Sequence, residues 1–297
     1  MKCRPYDHLV PDYAASTPGS SPLPEGLVER ARAFRDSGSP PPPPRDAATV
    51  ALLRDGRVGV EAYLLRRAAA MAFAAGMHVF PGGSVDPRDA DADLAWTGPS
   101  ASEWGARFGC DGATARGLVC AAVRETFEES GVLLAGDPST GEVVADTAAR
   151  EWESDRLALL DTSMSLSELL AGRGLALRAD LLRAWTHWIT PEFESRRFDT
   201  RFFVAALPVG QRPRDVGGEA DRVDWVAASE AVRRYDAGEM EMLPPTVTTL
   251  REVAGYASVA DVLDAAAARP ISPIMPRALW SGDDFALVLP GEAGYEA

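Results

Sequence analysis

The sequence predicts an α/β fold, and three observations carry that reading. A strand-turn-strand pattern opens at Ala47, a long helical pattern closes at Gly131, and short apolar strands then alternate with amphipathic helices. At 297 residues the chain is long enough to bury a sizeable core as one domain with additions. Hydrophobic residues make up 46% and charged residues 25%, an ordinary globular mixture, so any unstructured chain is local.

Residues 1–46 read as a proline-rich N-terminal extension. Residues 16–22 and the run of prolines at 40–44 favour extended, semi-rigid chain, with one short helix expected at 27–34. The β-rich core begins with a strand at 49–53, a turn at Asp55-Gly56 and a second strand at 58–65, a hairpin pattern. Val79-Phe80 make a short strand that runs into Pro81-Gly82-Gly83, read as a turn whose small residues permit close backbone approach. Polar, alanine-rich sequence with Trp96 and Trp104 precedes a helix that Asp111 or Thr114 can cap and Gly131 can end. Downstream, 157–182 reads as helix with a break near 172–174. Strands are expected at 185–189, 201–207 and 223–226, helices at 228–235, 246–256 and 259–268, and a last strand at 285–289.

Asp and Glu number 44 against 30 Lys and Arg, a net charge of −14, which disfavours a long nucleic-acid partner or an anionic membrane surface. Cys3, Cys110 and Cys120 have no metal-ligand spacing, and three cysteines in so long a chain do not suggest a disulfide framework. No run approaches the roughly 18 apolar residues that span a bilayer, and no basic segment leads into an apolar one at the N-terminus. Membrane insertion and secretion are therefore not expected, and a cytoplasmic location is.

The informative segment is 120–132. On a helix, Glu125, Glu128 and Glu129 stand at i, i+3 and i+4 and share one face, with Cys120, Val123 and Phe127 on the other. Like charges at this spacing repel by about a few tenths of a kcal/mol per pair, so folding gains nothing from them. A hard divalent cation reverses that sign, because it takes carboxylate oxygens and leaves places for water and phosphate. Arg124 suits the task of orienting a carboxylate with its planar fork. By itself the segment also reads as a solvated acidic face.

Arg-Glu-Thr-Phe-Glu-Glu-Ser-Gly-Val at 124–132 resembles the second half of the Nudix box, with Thr126 at a usually apolar position. Phe80-Pro81-Gly82-Gly83 matches the entry to that box. The first half is interrupted. Counting from Gly83, the family's glutamate position holds Asp89, and 34 residues then separate it from Arg124 where seven are usual, an insertion of 27 spanning about residues 90–116. No catalytic role is carried onto Asp89, one methylene shorter than glutamate.

The split box, with the segments 187–191, 196–203 and 243–246, is similar to the Nudix branch that includes mammalian peroxisomal coenzyme A diphosphatases. Leu64-Leu65, Arg67-Ala68 and Gly76 partly fit the coenzyme A motif of related enzymes, whose second arginine falls here at Ala72. The terminal Tyr295-Glu296-Ala297 is not a peroxisomal address of the Ser-Lys-Leu type.

The resemblance implies an α/β/α Nudix sandwich with a mixed sheet, an insertion within the box and extra C-terminal helices over 47–297. It implies a diphosphatase in which water attacks a diphosphate phosphorus of a nucleoside-diphosphate-linked small molecule, coenzyme A or an acyl derivative. ADP-ribose, NADH and dinucleoside polyphosphates are alternative substrates, and a catalytically silent nucleotide-binding regulator is the rival from another class. Mg2+ or Mn2+ is the implied cofactor, held by Glu125, Glu128, Glu129 and the Gly83 carbonyl, with Glu219, six residues before Trp225, as a further candidate. Arg124 orients the carboxylates, while Arg67, Phe80, Gly82 and Arg197 are the candidate substrate contacts. His187 reads as structural. The partner is a small-molecule diphosphate, and the reading admits a homodimer.

Overall fold

The structure, a computed structural model, describes residues 26–68, 76–90, 93–214 and 220–295. These fall into two units. The larger comprises Arg45–Trp188 with Asp199–Ser272, and the smaller gathers Met1–Pro44, Ile189–Phe198 and Pro273–Ala297. Ahead of the larger unit stands α1 (Leu27–Ser37), three residues longer than expected and stopped at Gly38, whose φ of 60° ends a helix without strain.

In the larger unit β1 (Arg45–Asp55) and β2 (Val60–Arg67) form the expected hairpin, with Leu53 opposite Ala62 and Asp55 opposite Val60. Next come β3 (His78–Val79) and β4 (Gly82–Ser84), which pair with β2 and β1 respectively. The expected turn at Gly82-Gly83 is thus a strand, and the expected close approach is what makes it one. A Cβ on Gly82 would lie 2.5 Å from the Ala48 carbonyl oxygen, so only glycine lets β4 seat against β1.

After a 3-10 turn at Pro87–Ala90 the insertion contributes β5 (Trp96–Thr97) and α2 (Ala101–Phe108), the latter capped by a reciprocal Ser100–Glu103 box. Trp104 and Phe108 pack on Phe203 with ring centroids 5.5 and 5.3 Å away, so the insertion buries aromatic surface in the main core. The helix α3 (Gly112–Ser130) starts where Asp111 accepts from the backbone N–H groups of Ala113 and Thr114 and stops at Gly131, φ 72°. Thr126, at the box's apolar position, is fully buried because its hydroxyl donates to the Ala122 carbonyl at 2.7 Å.

Beyond it follow β6 (Ala135–Gly136), α4 (Arg150–Leu160), α5 (Leu166–Gly172), β7 (Ala176–Arg178), β8 (Leu182–Ile189), β9 (Phe198–Ala206) and β10 (Ala220–Ala227). The helix expected to resume after Gly174 is therefore replaced by β7, which pairs in parallel with β5 and antiparallel with β6 in a small mixed sheet. Three residues are too few to show a strand period. The helices α6 (Ala228–Asp236), α7 (Pro244–Val253) and α8 (Val259–Ala268) complete the unit as expected.

The main sheet runs β10-β2-β1-β9-β8. Ala48, Val50 and Leu52 of β1 share a buried cluster with Val119, Val123 and Phe127 of α3, while the alternate residues Ala51 and Leu53 are buried too. Helices thus cover both faces, α3 on one and α6 against β2 and β10 on the other, and the α/β/α sandwich is present. Among the described residues no helix is long and apolar enough to cross a membrane.

Within the smaller unit, Leu27 and Ala31 of α1 pack with Phe193, Trp280 and Phe285. Its remaining elements are β11 (Pro273–Ile274), the unforeseen β12 (Arg277–Ser281) and β13 (Asp284–Val288), the last two forming a hairpin.

The aromatic packing of α2 predicts that Trp104→Ala costs about 3–5 kcal/mol of stability, read from urea unfolding, and Trp104→Phe much less. A loss within the surface range of about 0.5 kcal/mol would show that the insertion is not part of the core.

Candidate active site

The last turns of α3 bring Arg124, Glu125, Glu128 and Glu129 against β4 and the Pro87–Ala90 turn. Arg124 is the centre of the arrangement. Its Nε donates to Asp89 Oδ1 at 3.0 Å and its Nη2 to Asp89 Oδ2 at 2.9 Å, a bidentate fork. Nη2 also reaches the Ser84 carbonyl at 3.0 Å, and Nη1 reaches Glu125 Oε1 at 2.8 Å and Glu128 Oε1 at 3.3 Å. Asp89 is 2% exposed and is itself held by the Asp86 backbone N–H at 2.8 Å and by the Cys120 thiol.

Asp89 is the residue at this centre that sequence reasoning set aside. Its position was visible in the Gly-x5 spacing, and the shorter side chain reaches because the 3-10 turn brings its backbone onto α3. A second such residue, Arg156 of α4, left no sequence signal. It is 2% exposed and donates from Nη1 to the Glu128 carbonyl at 2.9 Å, capping the end of α3. Glu153 holds Arg156 at 2.6 Å and Arg214 at 2.8 Å.

Glu129 takes a different partner: its Oε2 accepts from the Gly82 backbone N–H at 2.8 Å. A Cβ on Gly83 would lie 2.5 Å from Glu125 Oε1, so the glycine pair leaves room on one side for β1 and on the other for a carboxylate. The glutamates are not the solvated acidic face that the helix pattern allowed, since Glu128 is buried and Glu125 and Glu129 are only partly exposed.

The charges are unbalanced, with three carboxylates (Asp89, Glu125, Glu128) around one guanidinium. Burial, the leading cause, raises the proton affinity of Glu125 and Glu128 above the ordinary carboxylate range, and Arg124 only partly opposes it. Burial also acts against the charge on Arg124, but Asp89 and its glutamate neighbours outweigh it and hold the guanidinium ionised. Among the described residues no three His, Cys, Asp or Glu side chains converge as a finished metal cage. The donor set nevertheless fits a hard dication. It offers oxygen ligands only, carries negative charge in excess, and stands beside Gly83, whose missing side chain leaves the Glu125 carboxylate its place against β4.

Of the remaining candidates, Arg67 ends β2, its backbone N–H bonded to the Met77 carbonyl at 3.0 Å. Phe80 is 2% exposed, which places its ring in the interior and not on a ligand surface. Arg197 belongs to the smaller unit, where it is buried and donates to the carbonyls of Thr190 and Pro42 at 3.0 and 2.8 Å and to Met275 Sδ at 3.4 Å. The expected phosphate contact is thus replaced by backbone bonding. Glu219 and the motif position Ala72 lie outside the described residues. His187 is buried and bonded to Asp199, which also pairs with Arg201 at 2.6 Å, in keeping with its structural reading.

A family model described as the NUDT19 Nudix domain matches residues 112–253. The acyl-coenzyme A diphosphatase NUDT19 of Gallus gallus is 26% identical over 281 residues, covering 81% of this chain and 74% of the relative. That of Homo sapiens is 28% identical over 278 residues, covering 80% and 72%. The solved structure of a NUDIX hydrolase from Alicyclobacillus acidocaldarius is similar with a TM-score of 0.64 and 29% identity, covering 78% of this chain and 99% of that one.

Two predictions follow from the geometry around Arg124 and Arg156. Asp89→Ala strands the buried Arg124 Nε and is expected to cost about 1–3 kcal/mol in urea unfolding while also lowering turnover; a variant with neither loss would remove Asp89 from the site. Glu153 is held down to about 2 from its ordinary 4.5, first by its hydrogen bond from Arg156. A depressed carboxylate contributes stability that is fully present above the unfolded value and is lost as pH falls through the folded one. Acid should therefore destabilise the native chain between about 4.5 and about 2, and Glu153→Gln should flatten the profile of unfolding midpoint against pH across that window.

Proposed function

Because the chain belongs to the Nudix superfamily, in its NUDT19-like branch, and is a Nudix hydrolase, we propose that it cleaves the internal diphosphate of coenzyme A or an acyl-coenzyme A. The products are a 3′-phosphoadenosine monophosphate and a phosphopantetheine. The chemistry is supported by the excess of carboxylates around Arg124, seated on the Gly82-Gly83 strand. The substrate class is supported by relatives named for acyl-coenzyme A hydrolysis that align over about four fifths of the chain, well beyond the box itself.

In this reading Glu125, Glu128, Glu129 and the Gly83 carbonyl hold Mg2+ or Mn2+. A dication there neutralises charge on the diphosphate and polarises the attacking water. The protein's own contribution is position. Arg124 and Asp89 hold Glu125 and Glu128 at β4, the Gly82 N–H holds Glu129, and Arg156 fixes the helix end from which both project. Arg67 is the basic residue we assign to the substrate's phosphates. A small-molecule substrate and a cytoplasmic location belong to the same proposal.

The test is a panel of coenzyme A, acetyl-coenzyme A, ADP-ribose, NADH and diadenosine polyphosphates with Mg2+ and Mn2+, the products resolved by mass. Coenzyme A or its acyl form is expected to give the two products named above, whereas cleavage of ADP-ribose or NADH alone would overturn the substrate assignment. Glu128→Gln and Glu129→Gln should each lower turnover by at least about 100-fold with little change in unfolding midpoint. Normal turnover in both would remove the cation site.

A further inference from the structure

The last turn of a helix ends in carbonyl groups that the helix itself cannot satisfy, and at the end of α3 two of them are met by arginines tied to one carboxylate. Arg156 of α4 donates from Nη1 to the Glu128 carbonyl at 2.9 Å, and the Arg214 backbone N–H donates to the Ser130 carbonyl at 3.1 Å. Both side chains then turn to Glu153 of α4. Arg156 grips it as a fork, Nη2 to Oε1 at 2.6 Å and Nε to Oε2 at 3.1 Å, while Arg214 Nη2 reaches Oε2 at 2.8 Å.

Burial and close fit distinguish this arrangement from a surface ion pair. Arg156 is 2% exposed, and a guanidinium so far out of water is costly unless its donors are met. At Gly131 a Cβ would lie 2.5 Å from Arg214 Nη1, so the glycine that ends α3 also admits a guanidinium over the helix end. From there Arg214 Nη1 reaches the Thr147 carbonyl at 3.2 Å, and the Thr147 hydroxyl donates back to the Gly131 carbonyl at 2.6 Å. Tyr63 of β2 donates to the Arg214 carbonyl at 3.0 Å and so ties the clamp to the main sheet.

Cations at the C-terminus of a helix are favoured by its dipole, but two guanidinium groups this close repel each other unless an anion stands between them. Glu153 is that anion. The carbonyl held by Arg156 belongs to Glu128 itself, and Glu129 lies between it and the carbonyl held by Arg214. Any shift of this turn therefore moves both carboxylates together and disturbs the bond from the Gly82 N–H to Glu129. Metal sites are sensitive to such partners, because the groups behind the ligands fix their orientation.

We propose that Glu153, acting through Arg156 and Arg214, is a positioning residue for the dication: it sets the pose of Glu128 and Glu129 and with it the affinity for Mg2+ or Mn2+. This rests on the proposed function, in which those glutamates are ligands.

The test is a titration of the full chain with Mn2+ in the absence of substrate, free Mn2+ being read by EPR at neutral pH and the urea unfolding midpoint measured alongside. Glu153→Gln keeps the shape and removes the charge, and Arg214→Ala keeps the backbone N–H at Ser130 and removes the side chain. Each is expected to weaken Mn2+ binding about tenfold. Asp155→Asn serves as the control, since it loosens α4 at Arg173 without touching α3; it should lower the unfolding midpoint and leave Mn2+ affinity unchanged. Affinity that falls in step with stability in all three variants, Asp155→Asn included, overturns the proposal. So does native affinity in Glu153→Gln and Arg214→Ala while Glu128→Gln binds weakly, and the cation site then stands without the clamp. If Glu128→Gln itself binds Mn2+ as the native chain does, the cation site of the proposed function falls and the clamp falls with it. Should Glu153→Gln fail to fold, Arg214→Ala, whose side chain is partly exposed, gives the same decision.

Discussion

The buried guanidinium of Arg124 joins three parts of the chain at one polar centre. It reaches back to the Pro87–Ala90 turn through Asp89, to β4 through the Ser84 carbonyl, and along its own helix to Glu125 and Glu128. Taking such a charge out of water costs several kcal/mol unless its donors are met, and here Nε, Nη1 and Nη2 all have acceptors. The geometry of the site follows from this one requirement. If the fork is to be satisfied, the turn must sit on α3, β4 must approach close enough to present its carbonyl, and glycine must stand at 82 and 83 so that β1 and Glu125 can both fit against it.

Legibility in the sequence followed length and chemistry. The hairpin, α3 with both of its ends, and the three C-terminal helices were readable because apolar periodicity ran for several turns or strand periods, and at α3 the capping Asp111 and the closing Gly131 marked the boundaries. By contrast β5, β6 and β7, of two or three residues each, have no period to read, and a leucine-rich stretch around β7 looked helical. Within the site, the three glutamates were visible as a helix face. What was not visible is that the face turns inward, because that depends on the elements packed over it, and Asp89 and Arg156, which hold Arg124 and the Glu128 carbonyl, stand 35 and 28 residues away from their partners. Arg197 illustrates the opposite error: a surface-looking arginine pair in sequence conceals a side chain used to satisfy carbonyl groups of its own unit.

Negative net charge and an anionic substrate class are compatible for a related reason. Beside the carboxylates the fold sets positive charge where geometry holds it, at Arg124 and Arg156. Elsewhere many arginines are paired with carboxylates, along one helix as Arg233 is with Glu230, across neighbouring strands as Arg54 is with Glu61, or between helices as Arg173 is with Asp155.

The interruption between Asp89 and α3 has a cost that polymer statistics can state. Lengthening a connection from seven residues to 34 raises its closure entropy by about 1.4 kcal/mol, since that entropy grows only with the logarithm of length. Edge-to-face packing of Trp104 and Phe108 on Phe203 is of the size needed to offset it. Because α2 docks beside the start of α3 while the carboxylates stand near its end, about 20 Å along the axis, the added chain packs away from the carboxylates. A motif of this kind is contiguous in space even where it is broken in sequence, so the connection is a position at which new segments can be accommodated over evolutionary time while the chemistry beside it stays fixed.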